Sequence, residues 1–152
     1  MIDGRRSGSC DSPYSTLVIT SQAIGRRLVE EYLLDTSKFW LPVAPPAVAA
    51  DEPSFTLSET EMGLRRYWRG PSWVVSAWLV WMGLLRLGYA EEAGELARRF
   101  ADVIGREGLR EYYDPFTGRG MGARGFAMSS LILELVDPDP AAAASHLGEA
   151  AI

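Results

Sequence analysis

Hydrophobic positions recur at helical spacing through much of the chain. From Thr20 to about Leu34, TSQAIGRRLVEEYLL places Ile24, Leu28, Tyr32 and Leu33 on one face and Arg26, Arg27, Glu30 and Glu31 on the other. That pattern predicts an amphipathic surface helix with Thr20 or Ser21 as its N-cap. Next comes FWLPVAPPAVAADEPSF, with prolines at 42, 45, 46 and 53. Proline lacks the backbone N–H and fixes φ, so this stretch is predicted to be a long irregular connection wrapped over the rest.

The second half is more regular. Trp73 to Leu87 is apolar on nearly every side and follows a Gly70-Pro71-Ser72 start signal, which predicts a helix buried all round. Gly88-Tyr89 ends it. In AEEAGELARRFADVIGREG, Ala93, Leu96, Ala97, Phe100, Ala101 and Ile104 form a single stripe, and Glu91 and Glu92 suit the positive end of a helix dipole. This second helix is predicted to lie outside the first. Phe126 to Val136 is again almost wholly apolar, with Glu134 the charged exception, until Asp137-Pro138 stops it. No segment has convincing strand alternation. The expected fold is therefore all-α, with inner and outer helices in a double ring or part of one. Residues 1–13 are expected to be a loose entry, 14–137 one domain, and 138–152 an Ala-rich tail.

Composition narrows the partners. Hydrophobic residues make up 47% and charged ones 23% of the 152, enough for a folded core. The formal charge of −5 leaves no basic face for phosphates, so no nucleic-acid partner is expected. Cys10 is the sole cysteine and can form no internal disulfide, which suits a reducing cytoplasm. The Met1-Ile-Asp-Gly-Arg-Arg start has no apolar stretch behind it, and Trp73–Leu85 is too short to span a bilayer. A cytoplasmic protein without a membrane partner is the expectation. HExxH, CxxC, phosphate-loop and dinucleotide patterns are all missing, so neither metal nor other cofactor is expected. His146 lies in the tail as a bystander, and neither Ser129 nor Ser130 has a base near it in sequence for a Ser–His triad.

Two stretches can carry chemistry. In RRYWRGPSW, Tyr67, Trp68 and Trp73 offer flat faces on which the C–H face of a sugar stacks, with Arg69 and the Tyr hydroxyl for its hydroxyl groups. Gly70 would let backbone approach a ligand. Equally, these aromatics can cap the end of a helical core. In GLREYYDPFTGRGMGARG, Glu111 precedes Tyr112 and Tyr113, Asp114-Pro115 begins a turn, and Gly118, Gly120 and Gly122 permit positive φ. At a loop-to-helix junction, an ionised Glu111 can hold a water for attack. The competing reading is a solvated loop acid paired with Arg110 or Arg124.

The succession FWLP, YWRGPSW and EYYDPFTG, with the segments around it from about Tyr14 to Val136, resembles the C-terminal part of mannosylglycerate-hydrolase-like glycoside hydrolases. These are relatives of processing α-glucosidase I and, more distantly, of trehalase. The resemblance implies an (α/α)6 six-hairpin barrel and an inverting mechanism on α-linked glucosides or mannosides. It implies that Glu111 is the general base and that Tyr67 and Trp68 line the sugar pocket; Arg69, Gly70, Trp73 and Tyr112 are also expected to bind substrate. Inversion requires a second carboxyl about 6.5–9.5 Å from the first, as the acid. In such enzymes that acid is an Asp far upstream. Asp3, Asp11 and Asp35 lack its aromatic surroundings. The expectation is thus an incomplete barrel that supplies the base without the acid and is inactive alone. The alternatives are a carbohydrate-binding remnant and a half-barrel that assembles with a separate N-terminal half.

Overall fold

The computed structural model describes residues 22–58 and 68–137. The expected caps Thr20 and Ser21, the pocket residue Tyr67, the 1–13 entry and the 138–152 tail lie outside these residues.

The first helix, α1, is helical over 22–28 and closes in a π-helical turn, Val29–Leu33. Val29 alone of that turn is buried, while Ile24, Leu28 and Tyr32 remain largely exposed. The helix forms as its periodicity predicts, yet its apolar face meets little of the described chain. Val29 and Leu33 pack with the main core cluster, the Tyr89 hydroxyl donates to Glu30, and a Cβ on Gly25 would come 3.0 Å from Leu87 at the end of the next helix.

The proline-rich segment 39–58 contains no helix or strand and is tied down from several directions. Val43 N–H donates to the Pro115 carbonyl and Ala47 N–H to the Pro71 carbonyl. The Arg99 guanidinium donates to the Leu41 carbonyl at 2.8 Å and lies 5.1 Å from the Trp40 ring centroid. Trp40, Leu41, Val43, Ala44 and Ala49 are buried. The expected wrapping connection is what forms.

Helix α2, Val74–Leu87, and helix α3, Ala90–Glu107, make the framework. Gly88 ends α2 in the left-handed region at φ 88°; its N–H reaches the Leu85 carbonyl and the Tyr89 N–H the Leu84 carbonyl. This paired bonding satisfies helix-end carbonyls that would otherwise be orphaned. From α2, Val74, Ala77, Trp81 and Leu84 are buried; from α3, Ala93, Leu96, Ala97, Phe100 and Val103. The stripe on α3 matches its sequence. Helix α2, however, is buried on one side only, and Leu79 is 58% exposed.

Two strands correct the all-α expectation. β1, Arg110–Tyr113, and β2, Gly120–Arg124, pair antiparallel. Tyr112 and Tyr113 are adjacent and both buried, each in a different apolar cluster. A strand held in this way between two clusters shows no polar–apolar alternation, and β2 has a single large apolar residue, Met121. Of the three turn glycines, Gly118 and Gly122 have positive φ and Gly120 does not.

The stretch after the hairpin also departs from expectation. In place of one buried helix it forms a 3-10 turn, Ala127–Leu131, and a single α turn, α4, Ile132–Leu135. Only Ser129, Ile132 and Leu135 are buried there, and Leu133 is 70% exposed. The Ser129 hydroxyl donates to the Arg110 carbonyl and the Ser130 hydroxyl to the Ala127 carbonyl. Such hydroxyl-to-backbone bonds compete with helical ones, which favours the tighter turn. The described chain is thus helix-rich, with a small sheet set at one end of the α2–α3 pair.

Candidate active site

Three backbone segments meet around the start of α2. Ser72 and Tyr113 exchange both backbone hydrogen bonds, at 2.8 and 2.9 Å, which splices the Gly70–Trp73 strip onto β1. The buried Ser72 hydroxyl donates to the Ala44 carbonyl at 3.1 Å and adds the proline-rich segment. Gly70 is needed for this arrangement, because a Cβ there would fall 1.9 Å from the Thr56 carbonyl oxygen. The close approach expected for a ligand is made by the chain's own backbone.

Trp73 lies at the centre of the second apolar cluster, with Tyr112 and Met121. Trp68 stacks on it at a centroid distance of 3.9 Å and an interplanar angle of 15°. The Tyr112 ring is tilted by 40° at 5.0 Å from that of Trp73, which Phe126 meets edge-on at 6.3 Å. Trp73 and Tyr112 are therefore core residues, whereas Trp68 is 43% exposed and turns the outer end of the stack to solvent. Arg69 is exposed, and its carbonyl accepts from Thr56 N–H.

Glu111 stands on β1 and not at a loop-to-helix junction. Arg110 pairs with Arg124 and Tyr112 with Met121, so Glu111 alone opposes both Gly122 and Ala123. That is a β-bulge, with Gly122 at φ 64° supplying the left-handed residue it needs. The bulge turns the Ala123 N–H onto Glu111 Oε2 at 3.0 Å. Glu111 is half-buried and takes part in no ion pair among the described residues. Of the expected partners, Arg110 donates to the Gly122 carbonyl at 3.1 Å, and Arg124 is exposed opposite Arg110 in the ladder.

The neighbouring groups support this strand. Tyr113, at the end of β1, is fully buried; its hydroxyl donates to the Gly108 carbonyl and accepts from Arg110 N–H. Burial pushes that hydroxyl above the usual tyrosine range, so it stays protonated. Nothing in the sequence pattern marks this bond. Asp114 Oδ1 accepts the N–H groups of Phe116 and Thr117, the turn role expected of it. Asp35 is held down to about 2 by the Ser37 hydroxyl and N–H and by Lys38, and an acid that strong is a poor proton donor. Among the described residues no group of three metal-ligating side chains gathers, and no helix is long and apolar enough to cross a membrane. Apolar hollows of about 450 and 340 Å³ lie against α2, and Glu111 lines neither.

Comparison with known proteins places these residues in context. The model of the mannosylglycerate hydrolase MGH1-like glycoside hydrolase domain matches residues 12–129. A mannosylglycerate hydrolase of Thermus thermophilus is 36% identical over 98 residues, covering 64% of this chain and 21% of that protein. A glucosylglycerate hydrolase of Mycolicibacterium hassiacum is 41% identical over 59 residues, covering 39% of this chain and 13% of its own length. Among solved structures, the GH63 mannosylglycerate hydrolase of Thermus thermophilus in complex with glucose aligns at a TM-score of 0.51 and 33% identity. That alignment covers 82% of this chain and 27% of the other. The chain spans about a fifth of the Thermus protein's length.

Proposed function

The chain belongs to the mannosylglycerate hydrolase MGH1-like glycoside hydrolase family, and on that premise we propose that it forms the base-bearing part of an inverting hydrolase of α-linked mannosides or glucosides, glycerate conjugates among them. The observation that carries this reading is the Glu111 carboxylate, without an ion pair among the described residues, one oxygen anchored by Ala123 N–H, next in sequence to an aromatic stack that opens to solvent at Trp68. In the reaction, Glu111 accepts a proton from water as the water oxygen bonds to the anomeric carbon. The glycosidic C–O bond breaks, and the leaving oxygen takes a proton from a second carboxylic acid about 6.5–9.5 Å away. Asp35 is too strong an acid for that role, which is assigned to chain outside the described residues. Trp68 would stack on the sugar, with Arg69 beside it for a hydroxyl or for the glycerate carboxylate; Tyr67 lies outside the described residues and keeps its proposed place in the pocket.

The test is a chimera in which this chain replaces the matching segment of the Thermus hydrolase. Hydrolysis of mannosylglycerate with initial release of the inverted anomer, seen by proton NMR, is expected. Loss of general-base assistance in Glu111→Gln should lower kcat by about 10²–10⁴-fold. Full activity of that variant would remove the base assignment. The chain alone is expected to be inactive on mannosylglycerate, glucosylglycerate and aryl α-glucosides.

A second reading is a half-barrel that assembles with a separate chain completing an (α/α)6 ring. It is favoured by the open side of α2 at Leu79 and by the exposed Leu133. Co-purification with a chain carrying the acid would support it.

A further inference from the structure

We propose that Gly122 and the backbone N–H of Ala123 are positioning residues for the reaction, forming a seat in the hairpin that clamps Oε2 of Glu111 and leaves Oε1 to hold the water. The proposal rests on Glu111 being the base.

The seat follows from register. With Arg110 opposite Arg124 and Tyr112 opposite Met121, regular pairing is impossible at Glu111, and β2 must accommodate one extra residue. The extra residue is Gly122, at φ 64°. Its peptide carbonyl is anchored by the Arg110 guanidinium at 3.1 Å, and the following N–H, that of Ala123, points at Oε2. Among the described residues no hydrogen bond reaches Oε1.

Space decides the identity of residue 122. A Cβ there would lie 2.7 Å from Glu111 Oε2, 2.7 Å from Tyr112 Cε1 and 2.8 Å from Glu111 Cβ. The carboxylate and the Tyr112 ring therefore share the volume that a side chain at 122 would fill. Tyr112 cannot easily yield, because its ring packs on Trp73. Glu111 must therefore give way at both its Cβ and its carboxylate, and that displacement breaks the bond to Ala123. The same glycine thus fixes the base relative to the aromatic stack.

Backbone strain can be separated from this contact. Gly125 has the same φ of 64° and nothing within 4 Å of its would-be Cβ, so Gly125→Ala introduces the strain alone. Gly122→Asn adds the Cβ with a residue that better tolerates positive φ.

The decisive measurement uses the full chain, labelled with nitrogen-15. As the pH is lowered, the Ala123 amide resonance is expected to move in the wild type and to stay still in Glu111→Gln. The movement should vanish in Gly122→Ala and Gly122→Asn and persist in Gly125→Ala. A wild-type Ala123 amide that does not move, or moves equally in Glu111→Gln, overturns the seat even if no Gly122 variant folds. In the chimera, Gly122→Ala and Gly122→Asn should lose about 10²-fold in kcat, as for a base displaced by about 1 Å, with KM little changed. Full kcat in these variants beside an inactive Glu111→Gln refutes the seat alone; an active Glu111→Gln refutes the base assignment instead.

Discussion

At Gly70 the separation between two backbones leaves no volume for a methyl group. The Thr56 N–H donates to the Arg69 carbonyl at 3.0 Å, and the Thr56 carbonyl oxygen occupies the place where a Cβ would stand. Gly70→Ala is expected to destabilise the fold by about 1–3 kcal/mol, the range for forced overpacking. The shift should appear as a lower urea midpoint at unchanged m-value. At the same scale EYYDPFTG singles out Glu111 as the proposed base but does not disclose its surroundings. The sequence suggests Arg110 or Arg124 as an ionic partner, whereas the bulge supplies a backbone N–H that has no side-chain signature. Trp73 and Trp68 look alike in the motif, yet one is core and the other reaches solvent. That distinction depends on which other segments cover each ring.

Among the elements, α2 and α3 were readable because helical periodicity and end signals agree over many residues. The hairpin was hidden because its strands are short and its buried tyrosines adjoin. The segment after it was read as one helix from apolarity alone, and serine hydroxyls bonding to backbone shorten it. The turn that leads out of α1 has its own titration. Asp35 accepts the Ser37 hydroxyl at 2.6 Å and the Ser37 N–H at 2.8 Å, and pairs with Lys38 at 3.1 Å. Its carboxyl lies at about 2, lowered from 3.8. A group depressed by folding contributes stability above its unfolded value and loses it as pH falls through the folded one. That contribution should be intact above about pH 4 and fade towards pH 2. Thermal melts of Asp35→Asn against the wild type are expected to differ above that window and converge below it; a constant difference would contradict the assignment.

For the molecule as a whole, the distribution of apolar surface is the main property that periodicity could not settle. Trp73–Leu87 was expected to be enclosed, and the described chain covers only the side bearing Val74, Ala77, Trp81 and Leu84. Leu79 and Leu133 project outward from the remaining surface, as do Ile24 and Leu28 on α1. Exposed large apolar side chains of this kind favour association. Leu79→Lys with Leu133→Lys is therefore expected to reduce concentration-dependent association in sedimentation velocity, while the melting temperature stays within about 2 °C, because neither side chain is in the core. If association is unchanged, other surfaces cause it.

The exchange of backbone bonds between Ser72 and Tyr113, with the Ser72 hydroxyl reaching Ala44, joins parts of the chain that are remote in sequence. Large loops must close before either the tryptophan pair or the acid acquires its neighbours, and loop closure has an entropic cost that only the finished contacts offset. The two motifs are consequently expected to acquire their geometry together. A peptide carrying either one in isolation has the letters of the site without its geometry.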